Sequence, residues 1–170
     1  MEDEFIRRAA SSTPPYMPPA HLRDPGDNWV YAPDGTKYWG AFGAAGLLLW
    51  HPEAGILLQH RAEWSHNGGT WALPGGARRL NESAETAALR EAAEEAGVPG
   101  DVVTVLFDTV FDLGYWSYTT VVARAEEHFD PVMGDAESLA LEWVPIDDVD
   151  KRELHPGFAA SWPQLRERLT

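Results

Sequence analysis

The chain has 170 residues and 44% hydrophobic side chains, enough for one domain with a substantial core. Its formal net charge is −14 and no basic stripe stands out, which argues against a binder of nucleic-acid polymers while leaving room for a small anionic substrate wherever a cation reverses the local sign. There is no cysteine, which excludes disulfides, thiolate nucleophiles and zinc fingers and fits a reducing cytoplasm.

In chain order, residues 1–36 read as an irregular Pro-rich N-terminal extension. Thr13-Pro-Pro-Tyr-Met-Pro-Pro19 and Asp24-Pro-Gly-Asp-Asn28 oppose regular structure, and the charged start is no signal peptide. Tyr16, Trp29 and Tyr31 could cover a sheet edge or support a homodimer. Residues 37–170 read as one domain. Its first strands run from Tyr38 to Trp50 and from Gly55 to His60, with His51 to Gly55 as the turn. The apolar run Ala44 to Trp50 is too short to span a membrane, and no membrane partner is expected. Trp71 to Leu73 is a short strand entering Pro74-Gly75-Gly76.

A helix follows. Asn81 or Ser83 can cap its first turn, alanines fill its body, and Gly97-Val98-Pro99 stops it. At 3.6 residues per turn, Glu91, Glu94 and Glu95 share a face within roughly 5–6 Å of each other. Such a cluster repels itself and opposes the helix dipole unless a cation sits on it. All-oxygen donors select Mg²⁺, Mn²⁺ or Ca²⁺, and Mg²⁺, the first choice with Mn²⁺ second, prefers a few carboxylates together with the oxygens of a substrate phosphate. Ala84, Ala87 and Ala88 lie near the Glu91 face, where they would leave room for an anion and its metal, whereas Leu89, Ala92 and Ala96 would pack on a sheet.

Beyond the helix, Val102 to Phe111 and Tyr115 to Ala125 read as strands joined around Asp112-Leu-Gly114, and Leu141 to Pro145 as one more. Pro156 to Leu169 reads as a second helix whose start Pro163 could shift to Ser161 or Trp162. The order suits a mixed sheet between helices, an α/β fold.

The run Gly76, Glu82, Arg90-Glu91, Glu94-Glu95 and Gly97-Val98, with five, seven, two and one residues between its fixed positions, resembles the signature of the Nudix hydrolases. Ala92 stands where that family prefers a larger aliphatic residue. The resemblance implies an α/β/α sandwich, a Gly76 carbonyl and Glu91, Glu94 and Glu95 carboxylates as metal ligands, and a Glu82–Arg90 pair holding loop and helix in register. An Arg fork suits that bidentate pairing. It further implies Glu91 or a downstream acid as general base, and the position of the loop Asp130 to Glu137 makes Glu137 the choice for an additional metal ligand or base, ahead of Asp135 and Glu142. Arg61 matches a place where family members hold substrate phosphates.

Trp64, Tyr115 and Trp116 offer faces for a nucleobase, although core packing is the commoner use of such rings. Strand alternation puts either Tyr115 with Ser117 or Trp116 with Tyr118 on the pocket side. The expected activity is Mg²⁺-dependent hydrolysis of a pyrophosphate bond in a nucleoside diphosphate-linked compound. Trp71-Ala-Leu-Pro-Gly-Gly76 resembles the entry to the box in nucleoside triphosphate pyrophosphohydrolases, including those for oxidised nucleotides. Dinucleoside polyphosphate or ADP-sugar hydrolysis and non-catalytic nucleotide sensing are the alternatives.

Overall fold

The computed structural model describes residues 23–169. The expectations for Tyr16 and the Pro-rich stretch from Thr13 to Pro19 lie outside them. Strands β1 (Trp29–Tyr31) and β2 (Lys37–Trp39) form a small antiparallel hairpin, so the irregular reading of residues 1–36 gives way at Trp29. Its rings hold it: Trp29 meets Trp39 edge-on at 4.9 Å and the Lys37 ammonium lies 4.5 Å above Trp29.

The single strand expected from Tyr38 to Trp50 is two. Gly40 and Gly43 take φ of 116° and 90°, a backbone region that side chains disfavour, and this break separates β2 from β3 (Ala44–His51). Then come β4 (Gly55–Arg61), β5 (Trp71–Ala72), β6 (Gly75–Ala77), helix α1 (Ala84–Ala96), β7 (Val103–Asp112), β8 (Ser117–Ala125), β9 (Ser138–Val144) and helix α2 (Pro156–Leu169). Strand β9 starts before the expected Leu141 because its pairing with β4 continues to Ser138 opposite Arg61, across a register shift at His60/Arg61. A 3₁₀ segment, Ile146–Lys151, was not foreseen.

The sheet is mixed, with strand order β5-β4-β3-β8-β7, β6 on β3 and β9 on β4. Strand β3 runs parallel to β8 and antiparallel to β4 and β6. Alternation sorts its side chains into two layers. Ala45, Leu47, Leu49, Leu57, Val121 and Ala123 face Ala87, Ala88, Ala92 and Ala96 of α1. Leu48, Ile56, Leu58 and Val122 face Phe158, Trp162, Leu165 and Leu169 of α2. This is an α/β/α sandwich. Ala87 and Ala88 are fully buried against the sheet and leave no room for an anion, which corrects that expectation: their small side chains bring helix and sheet together.

Pro163 stays inside α2 and does not move its start from Pro156. An interior proline costs about 3 kcal/mol. Burying Phe158 and Trp162 on the first turns offsets that at roughly 1.5–3 kcal/mol per large apolar side chain. Among the described residues no helix is long and apolar enough to cross a membrane.

Candidate active site

Strands β3 and β4 pair only at Trp50/Ile56 and His51/Gly55 and then part company, β3 taking β6 as its neighbour and β4 taking β5. The turn at Pro74 and Gly75 fills the fork: Leu47 N–H donates to the Pro74 carbonyl at 2.9 Å. Gly75 N–H donates to Glu95 Oε2 at 3.1 Å. Helix α1 crosses beneath, capped by Ser83, whose Oγ accepts from Thr86 N–H, and closed by Gly97 in the left-handed region. Of the two predicted caps Ser83 is the one used. Asn81 instead turns the preceding loop at a φ of 60°.

Helix and loop bring the expected acids to this fork in unequal ways. Glu95, on the stripe that α1 presses against the sheet, is 2% exposed. Burial first, then the charges of Glu91 and Glu137, push its carboxyl well above the ordinary range. Glu91 lies against Gly76 and accepts from Arg90 Nη1 at 2.8 Å. Burial raises its carboxyl to about 7 against the opposing pull of Arg90. Glu94 is half exposed, with Arg90 Nη1 at 3.3 Å and Arg79 Nη2 at 3.7 Å.

Two further carboxylates reach Glu95 from the loop before β9. Oxygens of Glu95, Asp135 and Glu137 lie within 4.8 Å of one another. Asp135, ranked below Glu137 from the sequence, is thus brought in beside it, and Asp135 Oδ1 accepts from Glu137 N–H at 3.0 Å. Burial leads the causes that raise the Asp135 carboxyl.

Arg90 ties loop and helix as expected. Its Nε and Nη2 donate to both Glu82 oxygens at 2.8 and 2.9 Å, and Nη2 also reaches the Ala77 carbonyl at 3.1 Å. The hydrogen bonds from Arg90 lower Glu82 to about 2. Glu82 Oε1 additionally accepts from Arg79 N–H at 3.0 Å, so the carboxylate closes the loop onto the helix.

The sequence reading missed Gln59. Fully buried on β4, it donates Nε2–H to Ser138 Oγ at 2.8 Å and toward Glu95 Oε2 at 3.5 Å, while its Oε1 has no hydrogen-bond partner. Its polarity inside the run Ile56-Leu-Leu-Gln59 was the available signal. Tyr118 was likewise undervalued. A Cβ on Gly46 would meet its hydroxyl at 1.9 Å, so the phenol lies over the backbone beside the Pro74 carbonyl, and burial pushes it up to about 12.

The other expected residues stand at a strand end and in two loops. Arg61 ends β4 and donates Nε–H to the His66 carbonyl at 3.1 Å. Trp64 is half-buried in the loop between Ala62 and Thr70. Trp116 stacks on Tyr38 at 4.5 Å and donates Nε1–H to the Trp39 carbonyl at 3.2 Å, while Tyr115 is exposed. Burial lowers His66, with Lys37 and Arg61 adding to the effect.

Known proteins share the sequence and the fold that build this cluster. The NUDIX domain model matches residues 41–165. The chain belongs to the Nudix family. RenU, a Nudix hydrolase from M. smegmatis, superposes with a TM-score of 0.78 at 50% identity, over 85% of this chain and 95% of that one. A Mycobacterium tuberculosis protein provisionally named 8-oxo-dGTP diphosphatase 3 is 48% identical over 165 residues, 89% of this chain and 76% of the relative. A Bifidobacterium longum nucleoside triphosphate pyrophosphatase/Nudix hydrolase fusion protein is 41% identical over 162 residues, 90% of this chain and 34% of that relative. This Nudix chain is a pyrophosphohydrolase acting on small nucleotides, from a family that depends on divalent metal.

Proposed function

We propose that the enzyme hydrolyses a nucleoside triphosphate, an oxidised one in particular, to the nucleoside monophosphate and pyrophosphate. The observation that carries this is the meeting of Glu95 with Asp135 and Glu137 at the fork, next to Glu91 on Gly76. The carboxylates that meet there offer oxygen ligands, as a hard cation requires. The choice of substrate is supported by the name of the 48% identical relative.

In this reading the Gly76 carbonyl, Glu91, Glu94 and Glu95, with Asp135 or Glu137, hold magnesium or, second, manganese. When bound, the cation supplies positive charge beside the pyrophosphate oxygens. The remaining work falls to the chain. Arg61 meets a phosphate with its guanidinium fork. Trp64, Tyr115 and Trp116 flank the base, and the Tyr118 hydroxyl floors the fork. A water is steered in line with the scissile bond, and its proton passes to Glu91 or Glu137. As its oxygen bonds to phosphorus, the bridging P–O bond breaks and pyrophosphate leaves with those electrons. No covalent enzyme intermediate is required.

The test is product release from a panel of canonical and oxidised nucleoside triphosphates, diadenosine polyphosphates and ADP-sugars, with and without Mg²⁺, using the wild type, Glu94→Gln and Glu95→Gln. Mg²⁺-dependent pyrophosphate release from triphosphates, lost in both variants, supports the reading. Preference for diadenosine polyphosphates or ADP-sugars replaces the substrate, near-normal turnover in both variants overturns the metal assignment, and nucleotide binding without turnover makes the chain a sensor.

A further inference from the structure

The segment ahead of the Nudix domain touches the catalytic loop. Asp24 Oδ1 accepts from Gly26 N–H at 2.8 Å, forming a tight Asx-type turn, and the same oxygen accepts from Leu80 N–H at 3.1 Å. That second bond spans 56 residues and joins a position outside the matched domain, residues 41–165, to the loop between Gly76 and Glu82. Gly26 completes the contact. A Cβ there would stand 2.0 Å from the Arg78 carbonyl oxygen, so the two backbones run against each other. Arg78 N–H donates to the Gly43 carbonyl at 3.0 Å, and Ala41 N–H donates to the Gly26 carbonyl at 2.9 Å. The loop is therefore held from outside as well as from the helix.

We propose that Asp24 is a positioning residue for the catalytic carboxylates, acting through the loop. By holding Leu80, Asp24 sets the backbone from Arg78 to Glu82. Glu82 grips Arg79 N–H and the Arg90 fork, and Arg90 in turn orients Glu91 and Glu94. The residue acts through hydrogen-bond acceptance, not charge, because both donors are neutral backbone N–H groups. Partners one step removed from metal ligands, as Arg90 is here, typically govern activity or metal affinity by about 10- to 100-fold, and Asp24, which acts through the loop, Glu82 and Arg90, should reach the lower end of that range.

The proposal rests on the assignment of Glu91 and Glu94 as metal ligands, and the experiment separates the two. The 170-residue wild type, Asp24→Ala, Asp24→Asn and Gly26→Ala are compared in kcat, KM, the Mg²⁺ concentration for half-activation, Mn²⁺ affinity by calorimetry without nucleotide, and melting temperature. The expected result for Asp24→Ala is a kcat loss of several-fold, up to about tenfold, with a raised Mg²⁺ requirement, weakened Mn²⁺ binding and little change in KM. Gly26→Ala should follow it. Asp24→Asn, which keeps an acceptor oxygen in place, should stay near wild type, and it remains readable even if Asp24→Ala does not fold.

A folded Asp24→Ala with wild-type kcat and metal requirement overturns the proposal. So does an Asp24→Asn that folds yet loses activity, since that outcome would assign the effect to charge. If wild type binds Mn²⁺ and Glu94→Gln binds it equally well, the metal assignment itself has failed, whatever the Asp24 variants do.

Discussion

Gly76 and Glu91 are in contact without an intervening side chain: a Cβ on Gly76 would lie 2.7 Å from the Glu91 carboxylate carbon. The glycine is required by the neighbouring carboxylate, since its own φ does not fall in the left-handed region. Gly76→Ala should push Glu91 off its present position and disturb the Gly76 carbonyl. A displacement of about 1 Å at a reacting centre costs on the order of 100-fold in rate. The expected outcome is a kcat loss of that order with a cooperative melt retained, read by steady-state kinetics and calorimetry.

Arg90→Lys tests the clamp. Lysine is a point donor and cannot make the paired bonds to both Glu82 oxygens while also reaching the Ala77 carbonyl. Leaving a largely buried acceptor short of partners costs about 1–3 kcal/mol. For a chain of this size each kcal/mol lowers the melting temperature by about 2–4 °C. Both melting temperature and turnover should fall, and a variant matching wild type in the two would remove the clamp from the account.

Gln59→Leu should separate activity from stability. Leucine removes the donor to Glu95 and Ser138, but it also removes the buried Oε1 that has no partner. Loss of the donor to Ser138 costs up to about 1–3 kcal/mol, and loss of the unpartnered Oε1 offsets part of it, so the change in stability should be small. Turnover should fall by about tenfold or more, as for other groups that orient a ligand. Kinetics and thermal melts on the same preparation check both halves.

Metal removal should expose a pH dependence. In the metal-free protein the Glu91 carboxyl is raised from 4.5 to about 7, so folding favours its protonated form. Its contribution to stability is full below about 4.5 and is lost as pH rises through about 7. Glu95 shifts in the same direction. The chelated protein should therefore melt at a higher temperature at pH 5.5 than at pH 8. Added Mg²⁺ should raise the melting temperature more at pH 8, where the carboxylates are ionised and free to bind. A flat profile in chelator, checked by scanning calorimetry, would contradict the strained acid cluster.

Helix α1 and the placing of its acids were legible in the chain order because they are local. The spacing of Glu82, Arg90, Glu91, Glu94 and Glu95 sits on one loop and one helix, the cap at Ser83 and the stop at Gly97 act on adjacent turns, and 3.6 residues per turn does the rest. The apolar spacing of Phe158, Trp162, Leu165 and Leu169 likewise marked the second helix, while the layers of the sandwich were expected only from the family resemblance. The physical basis of such spacing is burial of one face, which a period reveals.

Other features depended on contacts between distant segments. The division of the Tyr38-to-Trp50 run arises because Gly40 and Gly43 turn the chain before β3 enters the sheet. Which acids meet Glu95 depends on the register of β9 against β4, which carries Asp135 and Glu137 over the fork and sets Gln59 beneath it. Asp24 reaches Leu80 only when the N-terminal segment lies along the loop. Periodicity assigns a residue to a face, whereas strand register and the path of the chain decide which groups share that face, and those are settled when the whole sheet assembles.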